Sequence, residues 1–166
     1  SFIDGKVIVK CFQLTFFQEA KKFYKVTKKL NFDLSKAKVL LIRNEPPFNQ
    51  QYVNTTFILE HISKKVKIIN HPKSIREVPE KLFSIKLIKY MPSTLISEDI
   101  SKIKDFFKKH KKVIVKPING YSGNEVILLK TLNTKIINKY LKKHNHVIFQ
   151  KFLPKISEGD RRVFII

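Results

Sequence analysis

The sequence predicts an α/β fold built from two subdomains that meet near Val78. Short apolar segments rich in Val, Ile and Leu, typical of buried strands, alternate with segments whose apolar residues recur at helical spacing. The order of these segments changes along the chain: βαβ units come first, and a strand pair, a helix and a strand follow. This change of order indicates two subdomains.

The first half is predicted to contain strands, helices and one proline break. SFIDGKVIVK forms two short strands around an Asp4–Gly5 turn. Apolar residues at mixed three and four spacing predict a single helix from Leu14 to Leu30. Adjacent prolines in NEPPFNQQ prevent a helix there. The other segments are the strand AKVLLIR, the helix QYVNTTFILEHISKK with Tyr52, Thr55, Thr56, Leu59 and Ile62 on one face, the strand VKIIN, and the turn HPKSIREVP with about one helical turn.

The second half is predicted to contain three strands and three helical segments, one of them clearly amphipathic. A helix starts at EKLFSIKLI, and MPSTLIS is extended. Ser101 to Lys111 forms a short helix with Ile103, Phe106 and Phe107 facing inward. The segments that follow are the strands KVIVKP, EVILLK and HVIFQKFLP, with the helix TKIINKYLKKH between the last two.

The composition limits the function classes. The net charge of +21 comes from 34 basic and 13 acidic residues, and only four of the basic residues are arginines. The lysines fall on nearly every segment, and together with abundant Ile and Asn they fit AT-rich codons and a solvated surface better than a nucleic-acid groove. No apolar run approaches the ~20 residues of a membrane span. One cysteine, Cys11, and no signal peptide favour a soluble cytoplasmic protein.

Both ends of the chain look like cuts through a longer protein. The chain opens at Ser1 without an initiator methionine, and it closes on the strand-like run RRVFII with no turn after it. We therefore expect an internal piece of a longer protein, truncated at both ends, with some functional residues outside it.

The stretch VIVKPINGYSGNEV places a lysine at the end of an apolar strand, before a loop with two glycines. Gly120 and Gly123 flank Ser122, so backbone N–H groups and a hydroxyl could approach an anion. The spacing is neither a Walker loop nor a dinucleotide fingerprint, and the residues alone favour a plain hairpin, because Asn-Gly by itself makes a turn. Lys116 either extends its ammonium to solvent or binds an anion as a point charge. The residues alone leave both alternatives open.

Four segments taken together resemble a known family. LIRNEPPFN, INHPKSIREVPEKLFS, VIVKPINGYSG and FQKFLPKISEGDRRVFII are similar, in order and approximate spacing, to segments of the prokaryotic glutathione synthetases of the ATP-grasp superfamily. FIDGKVIV also looks like the hairpin that precedes the Arg-x-Glu-Pro-Pro-Phe segment. The resemblance implies an ATP-grasp fold after a Rossmann-like pre-ATP-grasp domain. Residues 1–78 would be the C-terminal part of that first domain, 79–153 the small (lid) subdomain of the ATP-grasp fold, and 154–166 the start of its large subdomain.

The resemblance also implies roles for individual residues. Lys81 and Lys116 would point at the phosphates of ATP, and the loop Gly120, Ser122 and Gly123 would close over them. The family has glycine where this chain has Ser122. The hinge beside the adenine would be Gln150, Lys151, Phe152 and Leu153. Asp160 would bind the ribose hydroxyls and Arg162 the reacting carboxylate or its acyl phosphate. Arg43 and Ser74 would line the site for γ-glutamylcysteine.

The implied reaction joins glycine to γ-glutamylcysteine through an acyl phosphate and yields glutathione, ADP and phosphate. It needs ATP and Mg²⁺, and the family's metal ligands would lie beyond Ile166, so we expect the 166-residue chain alone to be inactive. The implied partners are these small molecules, with neither nucleic acid nor membrane, and with a homo-oligomer as an option for the intact protein. The alternatives are another ATP-grasp carboxylate–amine ligase, of the kind that adds glutamate to a protein C-terminus, and a basic nucleic-acid-binding domain.

Overall fold

The computed structural model describes residues 1–19, 22–161 and 163–164. The chain divides into two compact units, Ser1–Pro79 and Glu80–Ile166. In the described part of the chain, no helix is both long and apolar enough to cross a membrane.

The first unit contains two small sheets and two helices among its described residues. Its elements are β1 (Phe2–Ile3), β2 (Lys6–Glu19), β3 (Lys22–Asp33), a 3₁₀ helix (Leu34–Lys36), β4 (Val39–Leu41), α1 (Gln50–Glu60), β5 (Lys67–Ile69) and α2 (Pro72–Glu77). β1, β2 and β3 form an antiparallel sheet in that order, and β4 pairs with β5 in parallel.

The predicted helix from Leu14 to Leu30 is wrong, because this segment is most of the β2–β3 hairpin. Cross-strand pairs such as Leu14 with Val26 and Phe16 with Tyr24 define the ribbon. The segment satisfies both helical spacing and two-residue alternation, and its aromatic and β-branched residues favour a strand. The pairing of the two halves therefore decides between the two periodicities.

The parallel strands β4 and β5 are connected through α1, as the predicted βαβ order requires. The side chain of Asn49 accepts a hydrogen bond from the Tyr52 N–H and caps the helix. Of the five residues predicted to share one face of α1, Thr56 and Leu59 are buried, Ile62 just beyond the helix is buried with them, and Tyr52 and Thr55 are partly buried. The core of this unit consists of Val7, Leu59, Ile62, Val66 and Ile68.

Arg76 joins α2 to α1. Its guanidinium donates to Thr56 Oγ1 at 3.0 Å and to the Glu60 carboxylate, and it lies 3.9 Å from the centre of the Phe57 ring. The hydrogen bond from Arg76 holds the pKa of Glu60 below its ordinary value. Arg76 thus acts as a structural clamp between the two helices.

The second unit is built around one antiparallel sheet. Its elements are α3 (Glu80–Phe83), a 3₁₀ helix (Ser84–Tyr90), β6 (Thr94–Ser97), α4 (Ile100–His110), β7 (Val113–Pro117), β8 (Ile127–Leu129), α5 (Thr134–His144), β9 (Val147–Lys151) and a 3₁₀ helix (Pro154–Glu158). The strand order is β6-β9-β7-β8. The strands and helices predicted for this half are confirmed.

One face of this sheet forms the core of the second unit. Val113 and Val115 of β7 and Val147 and Phe149 of β9 are almost completely buried on it. Helices α4 and α5 cover them with Ile103, Phe107 and Ile137. Phe106 is partly buried against the same cluster, so the predicted inward face of α4 is also confirmed. Because side chains alternate along a strand, the residues between these core positions lie on the opposite face.

Candidate functional site

The open face of the four-stranded sheet carries a mixed polar and apolar set of side chains. Lys116 of β7 lies opposite Ile148 of β9, and Thr94 of β6 lies opposite Gln150 of β9. Directly opposite residues share a face, so these side chains are neighbours. They line a pocket of about 200 Å³ together with Glu80, Lys81, Ser84, Ile85, Met91 and Ile96.

Lys116 is held by a chain of hydrogen bonds across three strands. Its ammonium donates to Gln150 Oε1 at 3.0 Å, and Gln150 Nε2 donates to Thr94 Oγ1 at 2.8 Å. The Thr94 hydroxyl in turn donates to the Pro92 carbonyl at 2.7 Å. The ammonium therefore points across the open face and does not extend along the surface into solvent.

Burial lowers the pKa of Lys116 below its ordinary value, and the nearby charge of Lys81 lowers it further, while Glu80 acts in the opposite direction. Only 16% of the Lys81 side chain is exposed. Its ammonium donates to the Gly120 carbonyl and lies 3.4 Å from Glu80 Oε1. The two ammonium groups thus lie close together in one pocket, an arrangement suited to binding a polyanion.

The glycine-containing loop after β7 has residues with positive φ, a closely packed glycine and an attachment to α5. Ser122 and Gly123 both have positive φ, at 49° and 71°. A Cβ on Gly120 would lie 2.7 Å from Pro117 Cγ, so close packing requires glycine there. The far end of the loop is attached to α5, since Glu125 pairs with Lys143 and its carbonyl accepts from the Tyr140 hydroxyl at 2.9 Å.

The segment Gln150 to Leu153 leaves the sheet at the edge of the pocket. Gln150 lines the pocket, Lys151 is exposed, Phe152 is partly buried and Leu153 is 51% exposed. The N–H groups of Lys151 and Phe152 donate to the carbonyls of Ser93 and Lys112, at 2.9 and 3.1 Å. A ligand beside this segment would therefore have to use its carbonyls or the Leu153 N–H.

Two expected site residues follow the last 3₁₀ helix. Asp160 is exposed and is not among the residues that line the pocket. Arg162 lies outside the described residues. The roles expected of both remain predictions.

Arg43 and Ser74 belong to the first unit. Both are exposed, and both follow the carboxyl ends of paired parallel strands: Arg43 lies two residues after β4, and Ser74 lies in α2 after β5. The carboxyl edge of parallel strands is a usual place for ligand-binding side chains. The structure thus places the two residues at one sheet edge, where a carboxylate could be bound.

Sequence reasoning missed three polar members of the pocket, Glu80, Ser84 and Thr94. Thr94 completes the hydrogen-bond chain from Lys116, and Glu80 offsets the two lysine charges. The alternation in TLIS could have placed Thr94 and Ile96 on one face, but only the pairing of β6 with β9 shows that this face is shared with Gln150.

Comparison with known proteins identifies both halves of the chain. The family described as "Prokaryotic glutathione synthetase, ATP-grasp domain" matches residues 80–166, and "Prokaryotic glutathione synthetase, N-terminal domain" matches residues 1–76. Glutathione synthetase of Escherichia coli O127:H6 is 31% identical over 99% of this chain and 54% of its own length. The Mesorhizobium japonicum enzyme is 32% identical over 100% and 54%. The chain thus spans about half the length of the curated relatives it matches.

Two solved structures share the fold. D-cycloserine synthetase superimposes with a TM-score of 0.60 at 16% identity, over 75% of this chain and 47% of that one. D-alanyl-alanine synthetase A from Vibrio cholerae gives 0.53 at 13% identity, over 86% and 44%. At these identities the likeness establishes the ATP-grasp fold and nothing finer.

Proposed function

Because the chain belongs to the prokaryotic glutathione synthetase family, we propose that it is part of an enzyme that joins glycine to γ-glutamylcysteine at the expense of ATP. The observation that carries the proposal is the pocket on the open sheet face, where Lys81 and Lys116 converge. ATP would phosphorylate γ-glutamylcysteine on its cysteinyl carboxylate and leave as ADP. The glycine amine would then displace phosphate and give glutathione.

The two lysines would bind the phosphates of ATP. In the structure the Gln150 amide accepts from Lys116, and Lys81 donates to the Gly120 carbonyl while its ammonium lies 3.4 Å from Glu80 Oε1. A phosphate oxygen is charged and makes a stronger acceptor than the amide or the carbonyl. Binding of the triphosphate would therefore exchange these contacts for phosphate contacts, and the loss of the Lys81 contact would release the loop around Gly120 to fold over the nucleotide.

The remaining expected roles complete the nucleotide site. The adenine would lie beside Gln150, Lys151, Phe152 and Leu153, with apolar cover from Phe152 and Leu153. Asp160 would bind the ribose hydroxyls, and Arg162 would orient the reacting carboxylate. Electrostatic stabilisation and positioning of the transferred group would supply most of the catalysis.

We assign recognition of the dipeptide to Arg43 and Ser74. Arg43 presents a planar guanidinium suited to a carboxylate, and the Ser74 hydroxyl is a further donor or acceptor. Their common position beyond β4 and β5 supports this assignment. The family points to a soluble cytoplasmic enzyme as the setting for this reaction.

The described residues contain no cluster of candidate metal ligands. Among residues 1–19, 22–161 and 163–164 there is no group of three or more His, Cys, Asp or Glu side chains that could hold a metal ion. We place the ligands of Mg²⁺ outside this chain and derive no step through the metal. Reading the coding sequence after Ile166 tests this placement. An Asp, followed by Glu-x-Asn in an apolar strand, is expected.

An assay of the complete gene product tests the function. ADP release should require both γ-glutamylcysteine and glycine, and mass spectrometry should detect glutathione. Lys116→Ala and Lys81→Ala should each abolish turnover or raise the KM for ATP at least tenfold, whereas Lys142→Ala on the exposed side of α5 should change neither. Ligation of glutamate to a protein C-terminus, without glutathione formation, would contradict the proposed substrates. Robust glutathione formation by the 166-residue chain alone would contradict its expected inactivity.

A further inference from the structure

The loop between β7 and β8 is held differently at its two ends. At the β7 end, the Lys81 ammonium donates to the Gly120 carbonyl, and Lys81 is one of the two lysines proposed to bind phosphate. At the β8 end, Glu125 contacts three side chains of α5. An incoming polyanion would therefore compete for the first contact and leave the second in place.

Glu125 is bound to the end of α5 through both its side chain and its backbone. Its carboxylate accepts from Lys143, and its carbonyl accepts from the Tyr140 hydroxyl at 2.9 Å. The second carboxylate oxygen lies 3.4 Å from Nε2 of His144, a buried atom without a hydrogen-bond partner among the described residues. The hydrogen bond from Lys143 holds the pKa of Glu125 below its ordinary value, although burial opposes this. The carboxylate is therefore ionised at neutral pH.

Glu125 keeps this position against the ordinary preference of its backbone. Its φ of 60° lies in the left-handed region, which residues other than glycine rarely adopt. Such a conformation persists where the surrounding contacts fix it. The contacts with α5 supply that constraint, and α5 is itself fixed on the sheet by the buried Ile137. A single exposed ion pair would contribute little, but three contacts to one residue form a firmer attachment.

Gly123 provides the freedom that the loop needs between its two ends. Its φ is 71°, and a Cβ added there would meet nothing within 4 Å, so no neighbouring atom restricts rotation at this position. The segment from Gly120 to Ser122 is therefore free to move about Gly123 while Glu125 stays attached to α5.

We propose that Glu125 is a positioning residue for the nucleotide: it holds one end of the loop on α5, so that the loop closes about Gly123 with that end already fixed. The identity of the ligand as ATP rests on the proposed function, whereas the attachment to α5 does not. With Glu125 attached, only the Gly120 end has to be ordered when the nucleotide binds. Loss of the attachment would add the ordering of the other end to the cost of binding.

Steady-state kinetics of the complete gene product test the role in nucleotide binding. Glu125→Ala should raise the KM for ATP about three- to tenfold, which is the cost of ordering one more side chain or loop end. The kcat should change less than about twofold, because the closed loop makes the same contacts in the ground state and the transition state. The matched control Glu98→Ala, at an exposed carboxylate after β6, should change neither constant.

Lys143→Ala tests whether Glu125 acts through α5. It should raise the KM for ATP less than Glu125→Ala does, because the other two contacts remain. The double variant should have the KM of Glu125→Ala alone, since both changes break one attachment. Lys142→Ala, at the neighbouring exposed lysine, is the control and should leave the KM unchanged.

Limited proteolysis of the nucleotide-free gene product tests the attachment itself, without any assumption about the reaction. Chymotrypsin cleavage after Tyr121, whose side chain is 40% exposed at the tip of the loop, is followed by mass spectrometry. Glu125→Ala should speed this cut at least about threefold, because the loop opens more often. Lys142→Ala should be cut at the wild-type rate. Circular dichroism verifies that the variants remain folded.

The outcomes separate this proposal from the proposed function. A wild-type gene product that makes no glutathione would contradict the function, and the cleavage rates would still report on the attachment. Unchanged cleavage in Glu125→Ala would overturn the attachment. Faster cleavage with an unchanged KM for ATP, or a lower kcat at an unchanged KM, would overturn the role in positioning the nucleotide.

Discussion

The two faces of the four-stranded sheet have different roles, although β7 and β9 contribute side chains to both. On one face Val113, Val115 and Phe149 are sealed under α4 and α5. On the other face, Lys116 and Gln150, which directly follow Val115 and Phe149 in the sequence, line a pocket. Because alternation fixes which residue faces which way, the chain can place partly buried charge next to a close-packed core without mixing the two.

Because the two faces carry different residues, effects on stability and effects on binding should separate between them. Substitutions on the helix-covered face should change the free energy of unfolding, and those on the open face should change nucleotide binding with little effect on unfolding. Substitution of a residue that contacts both faces should change both the free energy of unfolding and nucleotide binding.

The largest effect is expected at Phe149, which is completely buried in the centre of the covered face. Phe149→Ala should lower the free energy of unfolding by about 3–5 kcal/mol, through lost apolar burial and the cavity left behind. Denaturant unfolding measures this loss. The matched control is Phe164→Ala, at a side chain that is 76% exposed, which should change the free energy of unfolding by less than about 0.5 kcal/mol.

Gly120, in the loop after β7, contacts groups of both faces: its carbonyl accepts from Lys81, and a Cβ added there would lie 2.7 Å from Cγ of the buried Pro117. Gly120→Ala should cost about 1–3 kcal/mol by overpacking and should also weaken nucleotide binding. Gly123→Ala separates the cost of overpacking from the cost of backbone strain. A Cβ there meets nothing within 4 Å, but φ is +71°, so backbone strain of about 1 kcal/mol is the only expected cost. Equal costs at both glycines would refute the packing argument.

Lys116→Met should raise the free energy of unfolding at pH 7 by less than about 1 kcal/mol, since it removes a partly buried charge and keeps the volume. The folded-state pKa of Lys116 is lowered, so the unfolded chain binds more protons below the ordinary lysine value near 10.5. The wild type should therefore gain stability relative to the variant as the pH rises toward that value.

Unfolding experiments on both proteins across alkaline pH measure this difference. Lys142→Met, at an exposed position of α5, is the control and should show no such trend. A wild type that loses stability relative to Lys116→Met as the pH rises would show that burial does not oppose the charge.

The smallest effect is expected at Ser122, whose φ of 49° lies in the region that favours glycine. Ser122→Gly relieves that strain but adds entropy to the unfolded chain, so a gain of at most about 0.5 kcal/mol is expected. Ser122→Ala keeps the strain and should give no gain. Destabilisation by Ser122→Gly of more than about 1 kcal/mol would mean that the hydroxyl itself holds the loop.

The elements that the sequence predicted correctly are those decided by local pattern. In α4 the apolar residues at 103, 106 and 107 fit only a helix, and the run ending at Lys116 fits only a strand. Leu14 to Leu30 fits two periodicities, so the outcome depended on the pairing between its two halves. Local pattern carries no such information.

The candidate site shows the same limit. The order of the four motifs was enough to associate Lys81, Lys116 and Gln150 with one function. The contact of Lys116 with Gln150, and the part played by Thr94, depend on the register of β6, β9 and β7, which no single segment encodes. The structure brings these residues together, and their roles toward a nucleotide stay predictions.

The most direct test of the open face as a nucleotide site is competitive acetylation of the complete gene product with and without ATP, followed by mass spectrometry of each lysine. The other lysines in the same molecule serve as internal controls. ATP should slow the labelling of Lys81 and Lys116 together, while Lys142 on α5 and Lys73 on α2 should react at unchanged rates, and adenosine without phosphates should protect neither. Uniform slowing of all lysines, or unchanged labelling of Lys116, would contradict the account.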